Sequence, residues 1–435
     1  MTAQPRRPRE LTLLDCVALG INCVIGSGVY LLLAPMAKSA GAASLVGIAA
    51  CALLCVLVAL CFAELAGMFT ENGGVLIYAE AAFGPAVAWV VGWMGLVSTV
   101  LGFAAVAAGF GTALGKAVPA LGDPALHAAS SVALIGLLGV INYRGIKAGA
   151  RTGDLLSAAK LLPLLAIAVV GVAWVRPAVV AEAFTAPVGT SYLSAVSAAA
   201  FTAIFMISGF EYVPIPAGEA KASERAVPRA VLWSLLGAAA LYLMLQWVAL
   251  SMLPGLASSE HPLLDVAALM FGQTGRSAVA VASVVSMAGF CAGTMLVAPL
   301  YVEALAERRW LPPWFTWRSA HGTPGRAVVV LAGVSAVLVV LQDYGSLVDV
   351  ANVAVFAQYV PVCVAVLVLR VRRPEAPRPF RLPLGPVIPL AATVCSVALL
   401  AAAKPSLKEW VSTGVLLLIG AVAWGATRLF GRNFG

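Results

Sequence analysis

"VIGSGVY", residues 24–30, sets a Gly-Ser-Gly in the middle of an apolar run that extends from Leu11 to Ala37. Each glycine costs a helix interior about 1 kcal/mol relative to alanine, so something must compensate for two of them here. Close packing of helices is one explanation, but that pattern sets small residues about four apart. Gly26 and Gly28 are two apart. The spacing therefore predicts a break in the helix. Unwound backbone at membrane depth persists only where it lines a cavity or finds partners, and a bound substrate can be that partner.

The rest of the chain supplies the membrane. It has 435 residues, of which 62% are hydrophobic and 11% charged, whereas a soluble domain carries about 25% charged residues. Apolar stretches of the roughly 20 residues needed to cross hydrocarbon recur over 12–37, 43–67, 84–116, 126–143, 154–175, 192–217, 228–253, 276–305, 325–342, 346–370, 384–402 and 409–429. These twelve runs are continuous, unlike the short alternating segments of a β-barrel, so the expected fold class is an all-α integral membrane protein. A basic leader, "PRRPRE", precedes the first run. That run is longer than a signal peptide's apolar core and no small-residue cleavage site follows it cleanly, so it reads as a membrane helix.

Lysine and arginine set the orientation. The N-terminal tail, the even-numbered turns and the C-terminal end hold 20 of the 27, a bias that places both termini in the cytoplasm by the positive-inside rule. The net charge of +8 is thus topological and calls for no nucleic-acid partner. All eight cysteines fall in apolar segments and read as small buried hydrophobes. No spacing of cysteines and histidines suits a metal, no GxxxxGK[ST] loop suggests direct ATP drive, and no cofactor is implied.

A second anomaly answers the first. In "FTAIFMISGFEYVPIPAGE", the sixth segment, Ser208-Gly209 is followed by Glu211, Pro214 and Pro216. Two interrupted helices in corresponding positions of two halves point to a transporter site built on inverted repeats. At each break the resuming piece offers free N–H groups and the stopping piece free carbonyls, the two things a zwitterionic amino acid needs.

At this point the residues resemble a known family. "VIGSGVYLLLAP" is similar to the first-helix signature of the amino acid-polyamine-organocation (APC) transporters, and "ISGFE" with "GEAKASERAVPRAV" to their sixth helix and its exit. "FAELAGMFTENGGVLIYAEAAFGPAVAWVVGW", "AERRWLPPWF" and "RRPEAPRPFRLPLGPVIP" agree in order and spacing. The resemblance implies a 5+5 inverted-repeat (LeuT-like) fold with helices 1 and 6 unwound: a basic tail 1–10, a first repeat 11–175, a second repeat 192–370, two further helices in 384–430 and a tail 431–435. It implies a substrate carboxylate on the amides of Ser27 and Gly28, within the turn Val24, Ile25, Gly26, Ser27, Gly28. The ammonium would meet carbonyls of Val24, Phe205 and Ser208 beside Gly209, with Phe205 as an aromatic gate.

Lys160, in "SAAKLLPLL", is a lysine inside a membrane segment, where insertion costs about 2.5–3.5 kcal/mol and charges are usually functional. The alternative is a lysine near the helix end that snorkels, but Lys160 lies six residues inside Asp154. The resemblance places it beside helix 1, where sodium-coupled relatives of the fold hold their cation. Burial favours the neutral amine, so Lys160, with Glu211, is a candidate for coupling to protons. Glu64 and Glu303 read as structural charges of the cytoplasmic face, and Tyr78, Trp89 and Trp93 as interfacial aromatics.

The expectation is a secondary transporter in the cytoplasmic membrane, sodium-independent, coupled to protons or acting by exchange. The resemblance implies that segments three, eight and ten line the side-chain pocket; no acid lies in their apolar parts, where a cationic side chain would need one, so the expected substrate is a neutral amino acid. A cationic amino acid or polyamine exchanger of the same fold is the alternative, and a receptor or channel the next. A membrane-embedded enzyme lacks a nucleophile motif, a His cluster or paired carboxylates.

Overall fold

The computed structural model describes residues 9–430 apart from 186 and 188. The ends of the two tails, with Arg6, Arg7 and Arg432, lie outside the described residues. Twelve main helices follow in order. Helix 1 comes in pieces, Leu13–Val24, Gly28–Leu31 and Leu33–Ala40. Helices 2 to 5 are Ser44–Met68, Pro85–Ala117, Pro124–Tyr143 and Ile146–Gly171, with a short helix, Val75–Phe83, before helix 3. Helix 6 is Tyr192–Ile207, continued only by 3-10 turns at Phe210–Tyr212 and Ala217–Glu219. Helices 7 to 12 are Ser223–Met252, Pro262–Glu307, Gly325–Leu341, Tyr344–Arg372, Val387–Ala403 and Leu407–Phe430. Among the described residues the only β-pairing is one isolated bridge, Leu11 to Ala220.

Every expected segment has its helix, and the differences have local causes. Helix 5 starts at Ile146 rather than 154 because its first two turns, "IKAGARTGD", are helical but too polar to register as apolar. Helix 7 likewise starts at Ser223 rather than 228. The rod of helix 8 begins at Pro262, and Gly272, with φ 65°, bends it before the apolar part. Helix 6 stops at Ile207, short of 217, because Ser208 turns extended, ψ 161°, and Gly209 takes φ 122°; Pro214 and Pro216 then keep the chain from resuming a regular helix. Helices 9 and 11, at 17 residues each, are at the short end of what spans a bilayer.

Three aromatics are packing residues instead of interfacial ones. Tyr78 is buried and meets Phe62 edge-on. Trp89 stacks on Trp424 with ring centroids 5.0 Å apart, and the Trp93 indole donates to the Leu416 carbonyl at 2.8 Å. They seat helix 12 on helix 3. Of the eight cysteines seven are buried, while Cys395 is exposed on helix 11.

Helix 1 packs on helices 5, 7 and 8, and helix 6 on helices 2, 10 and 11, so both breaks lie in the middle of the bundle. The face of the basic turns is tied by ion pairs. Glu64, 1% exposed, accepts from Arg370 Nε and Nη2 at 2.9 and 2.6 Å and from the Leu382 amide at 3.0 Å, with Arg378 at 3.4 Å. Arg318 bridges Glu303 (2.6 Å) and Glu219 (3.4 Å), and Asn72 binds Glu219 and the Gly218 amide. Removing one partner of a buried pair costs about 3–5 kcal/mol. Glu64→Gln is therefore expected to lower the unfolding midpoint in detergent by several degrees; an unchanged midpoint would show the cluster to be decorative.

Candidate functional site

Helix 1 opens with a capping box, in which the Thr12 amide donates to Asp15 at 2.7 Å and the Asp15 amide to the Thr12 hydroxyl at 3.3 Å. It stops at Val24 because Ile25 turns extended, φ −88° and ψ 95°. A helix end leaves carbonyls without donors, and here three other helices supply them. Lys160 of helix 5 donates to the Ile25 carbonyl at 2.6 Å and to Asn22 at 3.3 Å. The Tyr242 hydroxyl of helix 7 donates to Val24 at 3.0 Å, and Ser286 of helix 8 to Gly26 at 3.1 Å. An ammonium at a helix C-terminus also opposes the negative end of the macrodipole. Lys160 is fully buried.

On the resuming side the accounting is the reverse. Among the described residues, the amides of Gly26, Ser27, Gly28 and Val29 donate to no acceptor. The Ser27 hydroxyl lies 3.0 Å from that of Tyr344, which opens helix 10. Both glycines are required by approach distance. A Cβ on Gly26 would stand 2.9 Å from the Phe290 ring, and one on Gly28 2.9 Å from the Met206 Cα of helix 6.

The second break faces the first. Ser208 is extended and Gly209 has φ 122°, a conformation glycine tolerates. A Cβ on Gly209 would overlap the Cys23 carbonyl at 2.0 Å, so the two broken helices touch backbone to backbone. The Phe205 carbonyl receives only a long bond, 3.4 Å, from the Ser208 hydroxyl, and no donor among the described residues reaches the Ser208 carbonyl. Glu211, 1% exposed, accepts from the Gly209 amide at 2.8 Å and from Tyr359 at 3.3 Å; its other oxygen has no partner. Phe205 meets Tyr344 edge-on at 6.1 Å, and Phe210 stacks on Tyr359 at 5.6 Å.

The turn 24–28, Phe205, Ser208 and Gly209 are thus one neighbourhood, and Lys160 joins it through the Ile25 carbonyl. Glu211 is tied to helix 10 through Tyr359. Asp349, the acid within helix 10, is exposed in a crevice with Lys408 and Glu409 and does not approach the breaks. Tyr242, Ser286 and Tyr359 were not singled out from the sequence, although each is a polar group in an apolar run, which is the signal that marks them; Tyr344 lies in the short turn before the tenth run, where no such signal exists. The arrangement offers unpaired donors at one break and an unpaired acceptor at the other, both inside the buried bundle. Buried polar groups are nearly always paired, so a ligand with both charges fits the vacancy in bonding.

A family model described as amino acid permease matches residues 11–423. The chain is 26% identical to a methylthioribose transporter of Bacillus subtilis, over 94% of this chain and 92% of that one. It is 27% identical to the branched-chain amino acid permease BcaP of the same organism, over 96% and 92%. It is 29% identical to the polyamine transporter PUT1 of rice, over 84% and 68%.

Proposed function

The chain belongs to the amino acid permease family of the APC superfamily and is a multi-pass membrane transporter, not an enzyme; from that premise we propose that it carries a small neutral amino acid by alternating access, without sodium, coupled to protons or by exchange. The observation that carries the reading is the pairing of free amides at Ser27–Val29 with the free carbonyl of Ser208, across a contact as close as Gly28 on Met206. A carboxylate takes the first and an ammonium the second. Phe290 lies against Gly26, with Gly102 and Tyr212 beyond it, so the surroundings that a substrate's side chain would enter at this turn carry no charge. A charged side chain would enter it unpaired, at a cost of several kcal/mol.

The remaining finer points belong to the same proposal. Residues 11–175 and 192–370 are the two repeats, both termini face the cytoplasm, and the membrane is the inner one. A cavity of about 30 Å³, roughly one water, lies between Tyr30, Thr112, Lys116, His261 and Met287 toward the face opposite the basic turns. A cationic amino acid or polyamine remains the second reading, because among the described residues Glu211, with one oxygen unpartnered, is the buried acid beside the breaks that an amine could use.

Uptake of labelled amino acids into proteoliposomes, with and without pH and sodium gradients, tests both readings. Alanine, serine or leucine is expected to be taken up and to exchange with internal substrate, with no response to sodium. Arginine, lysine or putrescine competing better than all three would replace the first reading with the second.

A further inference from the structure

The bonds made by Lys160 are the last rungs of a longer seam. Along helix 1 the participants are Ala18, Asn22 and Ile25; along helix 5 they are Gly153, Ser157 and Lys160. Both sets follow i, i+4, i+7, the spacing that keeps residues on one helix face. The Ser157 hydroxyl donates to the Ala18 carbonyl at 3.0 Å, the Asn22 side-chain Nδ2 to the Gly153 carbonyl at 2.6 Å, and Lys160 to the carbonyls of Asn22 and Ile25.

Small residues admit the seam. A Cβ on Gly153 would stand 3.1 Å from the Asn22 amide nitrogen. On helix 8, one on Gly289 would stand 2.7 Å from Asn22 Oδ1 and 3.4 Å from Lys160 Nζ, and one on Gly293 3.2 Å from Asn22 Cβ. Asn22 is fully buried and its Oδ1 has no partner. One turn nearer the basic face Leu14 is exposed, so the seam starts at the first buried turn of helix 1. Bonds in an apolar interior part only if their groups find water or other partners. The seam therefore resists separation of the two helices until water enters from the basic face.

We propose that Asn22 and Ser157 are positioning residues of a clasp between helices 1 and 5, which holds the Lys160 ammonium on the unwound carbonyls and sets how readily the basic-face end of helix 1 swings away. The proposal rests on the transporter reading, but its test needs no substrate, so its failure is separate from a failure of the uptake panel.

Cys16 is a built-in reporter, on helix 1 and 1% exposed. It lies about 200° round the helix from Ala18, so with the other seven cysteines replaced by alanine its rate of modification by N-ethylmaleimide reports the whole basic-face end of helix 1 swinging away from its neighbours. Asn22→Leu and Ser157→Val, near-isosteric and unable to bond, are expected to react up to about tenfold faster, the scale of one lost hydrogen bond. Ser157→Thr keeps the hydroxyl and is expected to react at the parent rate. Should Asn22→Leu fail to fold, the Ser157 pair still decides the matter. Unchanged rates in Ser157→Val, or equal acceleration by Val and Thr, would overturn the clasp.

Discussion

Lys160→Ala is expected to reduce uptake at least tenfold in a protein that still folds. The residue lies 14 positions beyond Ile146, about 21 Å along the helix at 1.5 Å per residue, which is too deep for its head to reach water by stretching. It is fully buried, and its two bonds go to the turn that the substrate would share. A hydrogen bond from a charged group contributes about 1.5–3 kcal/mol, while removing a buried ammonium also relieves its desolvation. Folding therefore survives and the geometry of the break does not. Lys160→Met, which fills more of the space, is expected to fail equally, so that an emptied cavity is not the cause. The same ammonium leaves no room for a metal cation, since two positive charges cannot share one set of carbonyls. The unmodified protein is expected to be indifferent to sodium, and near-normal uptake by Lys160→Ala or sodium-stimulated uptake by the parent would remove Lys160 from the mechanism.

What the sequence made legible follows from the range over which each signal acts. Gly-Ser-Gly at 26–28 and the prolines at 214 and 216 disrupt a helix by themselves, so both breaks could be read without knowing any neighbour. The start of helix 5 could not, because apolarity measures the part of a helix that meets hydrocarbon, and "IKAGARTGD" is helix outside it. The donors that hold the first break open were also hidden: Tyr242 and Ser286 stand 218 and 260 residues from the carbonyls they bind. Trp89 and Trp93 look interfacial until helix 12, more than 300 residues on, is laid against them. Local strain is written locally, whereas the groups that relieve it come from wherever the fold brings a donor.

Gly28→Val is expected to abolish substrate binding while leaving a folded protein in detergent. A Cβ at this position meets the Met206 backbone at 2.9 Å, with Met206 Cβ and Cγ at 3.0 Å. Backbone cannot give way as the end of a side chain can, so the two broken helices must separate by several tenths of an ångström. That separation acts where the free amides of helix 1 look across to the carbonyl end of helix 6, and hydrogen bonds weaken steeply with poor distance and angle. Overpacking of this kind costs about 1–3 kcal/mol, which a large bundle tolerates, whereas a site that must engage both ends of one small molecule does not. Gly102→Ala is the control, since its Cβ would have only ordinary contacts, 3.5 Å to the Tyr212 hydroxyl and 4.0 Å to Phe290; it is expected to retain binding and to disfavour larger side chains. Isothermal titration with the best substrate of the uptake panel measures both. Full affinity in Gly28→Val would place the carboxylate somewhere other than the amides of Ser27 and Gly28.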